Sequence, residues 1–225
     1  MARMVYCRKL GYSLCFKMRS IKAAILTISS SIVVLWLGLV TSVFAIEHFV
    51  ETLGVSLPNQ LNLAKTQESV YLNGHAVAQA WGQPAYVAAL YTPYIEKRAE
   101  MLSVNDEPLA MVFYFIRDDV TADMLRKLFT ESILVNNGGW DNQRLDRKRI
   151  LELQNLLNRT FNAGDVLAFH YSPKNGVLMI VNSEVEHHWP HAKSFFNMLL
   201  RMWVGPYPPS RGFKRAILNF PANMQ

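Results

Sequence analysis

The chain has 225 residues, 51% of them apolar and 18% charged, with 11 Gly and 10 Pro. That is enough apolar surface to offset the entropy of ordering, which excludes a collagen-like, low-complexity or intrinsically disordered chain. The formal net charge of +6 invites a nucleic-acid reading, but its distribution removes it. Residues 1–45 carry six basic groups (Arg3, Arg8, Lys9, Lys17, Arg19, Lys22) and no Asp or Glu, leaving 17 basic against 17 acidic groups in the remainder. A neutral body has no net field to attract phosphate backbones, so no nucleic-acid partner is expected.

The leader comes first in chain order. Ala23 to Ala45 contains no charged residue, is densest in Ile32–Val40, follows a basic stretch and ends in the small-residue pattern Val43-Phe44-Ala45. This is the layout of a secretory signal peptide cleaved after Ala45, with Met18 an alternative start. Because about 20 apolar residues span a bilayer, an uncleaved inner-membrane anchor is the competing reading. Either way residues 46–225 are expected to be exported, into the periplasm if the source is a bacterium. Both cysteines, Cys7 and Cys15, lie in the leader. The body is therefore expected to have no disulfide, no cysteine metal site and no cysteine nucleophile.

Residues 46–67 read as a loose lead-in. Ser69–Leu72 and Ala85–Thr92 are short apolar runs flanked by turn residues and read as strands, with Asn73-Gly74 as a turn. Tyr94–Leu102 is an expected short helix, and Leu109–Ile116 a strand buried on both faces. Thr121 caps a helix to about Val135 whose stripe is Met124, Leu125, Leu128, Phe129 and Ile133. A second helix, about Gln143 to Arg159, turns Leu145, Ile150, Leu153, Leu156 and Leu157 inward and Arg144, Arg147, Lys148 and Arg149 outward. Val166–Tyr171 and Val177–Val181 form a hairpin about Asn175-Gly176. A tight turn at Asn182-Ser183 leads into Glu184–Glu186. Helices over Lys193–Val204, stopped by Gly205-Pro206, and over about Ser210–Leu218 complete the chain. Without regular βαβ alternation, the fold class is α+β, one domain with helices layered on a mostly antiparallel sheet.

Four segments, at 72–93, 111–133, 164–182 and 195–218, resemble the chalcone isomerase-like family in its order, in the form found as exported bacterial proteins. Ile116-Arg117-Asp118 before a helix, and Leu200-Arg201-Met202-Trp203-Val204-Gly205 with Pro208 after it, are the more specific signatures. The resemblance implies an open-faced β-sandwich, a large antiparallel sheet with a helical layer on one face. The flavanone-forming members stabilise the substrate oxyanion with an Arg following a Gly-Ala-Gly-Val segment. The matching segment here is Gly74-His75-Ala76-Val77, followed by Ala78. The family's catalytic Thr falls at Tyr86 and its Tyr near Met124, so none of the three is retained. Losing a single preorganised oxyanion donor costs about 10²–10³ in rate. Other members of the fold bind fatty acids through the same Arg, so that anchor is missing as well.

The resemblance and the apolar, aromatic strands together suggest non-catalytic binding of a small apolar or amphipathic ligand, fatty acid-like or aromatic. An isomerase with a rearranged catalytic set and a structural or protein-interaction domain are the alternatives. Candidate ligand residues are Tyr86, Tyr91 and Tyr114 on strands, Arg117 at a helix start and Arg201 on an apolar helix. For Arg117 the bland reading is an ion pair within the Asp118-Asp119 capping cluster. For Arg201 it is a side chain whose stem lies along the surface. His187, His188 and His191 have ligand-type side chains, but Pro190 breaks any helical spacing, so a solvated connection is favoured over a metal site. No cofactor is expected, and membrane contact only through an uncleaved leader.

Overall fold

The computed structural model describes residues 49–66, 68–138 and 144–221. The strands are β1 (Phe49–Thr52), β2 (Val55–Pro58), β3 (Gln60–Asn62), β4 (Ser69–Ala80), β5 (Gln83–Thr92), β6 (Leu109–Phe115), β7 (Val166–Ser172), β8 (Gly176–Val181) and β9 (Glu184–Trp189). The helices are α1 (Ala99–Val104), α2 (Ala122–Asn137), α3 (Arg144–Leu156), α4 (Lys193–Val204) and α5 (Arg211–Ile217). β3 to β9 form one seven-stranded antiparallel sheet in sequence order, while β1 and β2 pair with each other. This is the expected α+β architecture.

Two-residue alternation splits the sheet's side chains between two cores. On one face Ala78, Tyr86, Phe113, Phe115 and Phe169 meet α2 through Leu125, Phe129 and Ile133, α4 through Phe195 and Trp203, and α5 through Phe213. On the other face Val87, Ala89, Tyr91, Val112 and Leu178 pack with Leu57 of β2 and with Leu63. Each large side chain so removed from water contributes roughly 1.5–3 kcal/mol. β6, Leu109–Phe115, is accordingly buried on both faces except at half-buried Tyr114, as its unbroken apolar run predicts, and it ends one residue before Ile116.

Four expectations need correction. Within the described residues the lead-in is not loose, because Val55 and Leu57 turn inward from a hairpin whose turn, Leu53-Gly54, has positive φ at both positions. The strand beginning at Ser69 does not stop at Asn73-Gly74. It slips register there and runs to Ala80, and the turn is Trp81-Gly82, with φ 53° and 81°. α1 begins at Ala99 rather than Tyr94, since Asn73 and Thr92 occupy the backbone before it. Asn73 accepts from Glu96 N (2.7 Å) and donates to Glu96 O (3.1 Å), and Thr92 donates to Tyr94 O (2.6 Å). Arg149 is not on a solvated face. It is buried, pairs with Asp146 at 2.8 Å and donates to Pro190 O and His191 O.

Two glycines in the motifs have a steric reason. A Cβ on Gly74 would lie 2.2 Å from Ala216 O and 2.5 Å from Ile217 O, so glycine there is what lets α5 close on β4. One on Gly205 would lie 2.4 Å from Asn136 Oδ1. Asn136 in turn accepts from Tyr207 N (2.8 Å) and donates to Tyr207 O (2.9 Å), fastening the segment after α4 to the end of α2.

Candidate functional site

The register places Ala78 directly opposite Tyr86, both on the helical face. The two positions that the resemblance matches to the family's Arg and Thr are therefore neighbours across the strand pair. What fills the space between sheet and helices is aromatic. Tyr86 lies 5.0 Å from Phe113, and Phe113 lies 4.7 Å from Trp203 and 5.4 Å from Phe129, measured between ring centroids. Ala78, Tyr86, Phe113, Phe129 and Trp203 are all buried.

The polar atoms of this cluster are neutral. Burial holds the Tyr86 hydroxyl well above its ordinary range, only partly offset by the nearby Trp203 indole N–H. Tyr86 therefore stays protonated at neutral pH and is a hydrogen-bond donor rather than a base. The Trp203 N–H is enclosed and has no partner of acceptable hydrogen-bond geometry. Met124, the third matched position, is half-buried at the start of α2. Ala, Tyr and Met at these positions supply no fixed positive charge and no base that titrates near neutrality.

Tyr91 and Tyr114 lie on the other face of the sheet, away from the helices. Burial raises both hydroxyls, and Tyr114 lies close enough to Tyr91 to raise it further. Even so, the enclosed Tyr91 hydroxyl has no partner of good geometry. Tyr114 also lines an open groove of about 380 Å³ at the β1–β2 turn, with Leu53, Val55, Ile116 and Asp165. The three tyrosines thus do not converge on one pocket.

Arg117 pairs with neither neighbouring aspartate among the described residues. Its guanidinium sits 5.7 Å from the Trp81 ring centroid and donates at 2.8 Å to the Gln83 side-chain oxygen, with that amide oriented toward it. Asp118 instead accepts from Ala163 N, and Asp119 N donates to Asn162 Oδ1, so the acidic pair fastens the turn before β7. Thr121 is the helix cap, as expected.

The histidines diverge. His187 packs at a tilt against Trp189, His188 meets Asn175 O, and His191 follows Pro190 at φ 50°. Among the described residues no three His, Cys, Asp or Glu side chains approach closely enough to hold a metal ion.

Arg201 sits in the last turn of α4. It is exposed and lines a groove of about 360 Å³ with Ala99, Glu100 and Val104 of α1, Val204 and Pro206 after it, and Lys214 of α5. Arg201 donates to Asn137 Oδ1 at 3.3 Å, and Lys214 Nζ donates to Gly205 O at 3.0 Å. A second groove of about 360 Å³ continues past Gly205, Pro206 and Lys214 to Arg211, Arg215 and Phe220. Both are open to solvent, so an occupant would lie along them rather than be enclosed. The charge pattern was readable, since residues 187–225 contain five Lys and Arg and no Asp or Glu. Averaging charge over the whole body conceals this.

The family model for chalcone isomerase-like proteins matches residues 49–219. The chain belongs to that family. Among solved structures it resembles the Arabidopsis thaliana fatty-acid binding protein, with a TM-score of 0.59 and 14% identity, covering 76% of this chain and 96% of that one. No curated protein matches the sequence. In this chalcone isomerase-like protein the space between sheet and helices is a packed core. The seven-stranded sheet with helices on one face is the architecture of the family.

Proposed function

We propose that this is an exported binding module that holds a small apolar or amphipathic molecule without transforming it. The leader reading of residues 1–45, which lie outside the described residues, supports export to the periplasm. Membership of the chalcone isomerase-like family and the likeness to a fatty-acid binding protein support ligand binding. Ala78 opposite Tyr86 puts no cation at the position matched to the family's Arg, which argues against the family's oxyanion chemistry.

The observation that carries the proposal is the groove between α1, the end of α4 and α5. Exposed Val104 and Pro206 offer apolar surface to a chain or ring, and Arg201 and Lys214, with Glu100 on the same rim, stand beside it for a polar end. Burying an acyl segment there gains about 0.8 kcal/mol per methylene. The cations would hold a carboxylate while keeping contact with water, which spares most of its desolvation cost.

The test is titration with long-chain fatty acids and with flavonoids, followed by calorimetry and by product analysis. One equivalent bound and recovered unchanged is the expected result, with affinity weakened at least fivefold in Arg201→Gln/Lys214→Gln. Turnover would instead establish an isomerase. The closely filled interior also suits a protein-interaction domain, which is the reading that remains if neither ligand class binds.

A further inference from the structure

The face of the sheet turned away from the helices carries a groove chemically unlike the one at Arg201. The turn of the β1–β2 hairpin, the end of β6 and the turn before β7 border it, and its volume is about 380 Å³. Leu53 is exposed there, and Val55 and Ile116 are half-buried, so much of the wall is apolar. Among the described residues no cation lines it. Its one carboxylate is taken up by the fold, since Asp165 accepts from Asn162 N at 2.7 Å and from Asn182 Nδ2 at 2.9 Å. The hydroxyl-bearing side chains that remain are Ser56, which is exposed, and Tyr114, which is half-buried.

Tyr114 has a second hydroxyl behind it. Tyr91, on the neighbouring strand β5, belongs to the same face and is fully buried. Its hydroxyl lies beside that of Tyr114 but has no aligned partner. A buried donor left unpaired is costly, and the acceptor within its reach is the Tyr114 oxygen. A hydroxyl has one proton and two lone pairs, so a Tyr114 oxygen that accepts from Tyr91 still has its own proton to place. The groove that Tyr114 lines is the open direction. Burial raises both hydroxyls, so both stay protonated at neutral pH.

We propose that this groove is a second binding site, for an uncharged apolar molecule carrying a carbonyl group, whose oxygen accepts from Tyr114 while Tyr91 donates to the Tyr114 oxygen from behind. Such a ligand aligns the two hydroxyls and satisfies a buried donor that the free protein leaves unmet. An anion finds no cation in the lining and meets Asp165 instead. A hydrocarbon fills the wall and leaves both hydroxyls as they were. Tyr114 is the contact residue and Tyr91 a positioning residue that acts through it. The site is independent of the Arg201 groove, which shares no lining residue with it.

Acetophenone is the probe, with benzoate as its charged counterpart, and the full chain is titrated and followed by infrared spectroscopy. One equivalent of acetophenone is expected to bind, with its carbonyl stretch moved to lower wavenumber than in hydrocarbon, the sign of an accepted hydrogen bond. Tyr114→Phe removes the donor, so affinity should fall about two- to tenfold and the stretch should return toward its hydrocarbon value. Tyr91→Phe should weaken binding by at least about twofold and shrink the displacement without destabilising the protein to urea, a split that a merely structural role does not produce. Arg201→Gln/Lys214→Gln should bind acetophenone as the parent does, whatever becomes of its fatty-acid binding. A parent that takes up no acetophenone, a Tyr114→Phe protein with unchanged affinity and stretch, or displacement of the ketone by benzoate would each overturn the proposal.

Discussion

Ala78→Arg restores, at the matched position, the cation that the flavanone-forming and fatty-acid-binding members share, and the structure predicts that it damages the protein. Ala78 is 1% exposed and faces Tyr86 across the strand pair. The space a guanidinium would need is already held by the packed Tyr86, Phe113 and Trp203 rings. Overpacking a filled core costs about 1–3 kcal/mol. An uncompensated buried charge adds about 3–5 kcal/mol, since among the described residues the buried carboxylates, Glu96 and Asp146, are already paired with Arg98 and Arg149. The sum, about 4–8 kcal/mol, rivals the whole stability of an ordinary domain. Urea unfolding followed by tryptophan fluorescence should show loss of most or all of the native baseline. An Ala78→Arg protein within about 1 kcal/mol of the parent would show that the interior opens to accept an anchor. The argument from filling would then be wrong.

Three further outcomes follow from single sites. Gly74→Ala should destabilise by at least about 3 kcal/mol, because its Cβ meets backbone oxygen of α5 at 2.2 Å and backbone cannot step aside; a loss under 1 kcal/mol in chemical denaturation would contradict the packing of α5 on β4. Tyr91→Phe should be neutral or slightly stabilising by the same assay, since the hydroxyl removed is buried without a partner; a loss above 1.5 kcal/mol would reveal a hydrogen bond there. His170 accepts from Ala64 N at 3.1 Å through Nδ1, and burial lowers its pKa to about 4. Its neutral form is therefore the native one. As pH falls through the ordinary value of 6.5 the unfolded chain takes up the proton first, so stability declines between 6.5 and 4 and levels off below. The decline from this group is at most about 3 kcal/mol. His170→Gln, which keeps an acceptor, should flatten the melting-temperature profile in that window, and an unchanged slope would remove His170 as its source.

Most of the fold could be read from the chain because its signals are local. The run Leu109–Ile116, the cap at Thr121 and the turn residues at Asn175-Gly176 and Asn182-Ser183 each determine their element within a few residues. What misled were residues whose role is set at a distance. Asn73-Gly74 looks like a turn, yet Asn73 reaches Ile217 O at 2.9 Å and Gly74 makes room for α5, contacts separated by more than 140 positions. Arg149 sits in a basic run but answers Asp146 and the backbone after β9.

The candidate site divided in the same way. Alternation alone sets Phe113 apart from Tyr114, but not which of the two faces carries helices. Only the register shows Tyr86 inside the helical core and Tyr91 and Tyr114 outside it. Arg201 is legible as a cation in an apolar helix, while Lys214, its companion across the groove, lies in a short basic helix whose pattern does not mark which cation faces the groove.

The central claim is that the protein carries a ligand at the Arg201 groove and does no chemistry on it. Native mass spectrometry of the protein purified from its own cell, beside Arg201→Glu/Lys214→Glu prepared identically, tests this most directly. The account predicts one small amphipathic adduct on the parent, chemically unaltered, and its loss from the variant. A bare parent that stays bare after incubation with fatty acids and flavonoids, or an adduct retained in full by the variant, would contradict it.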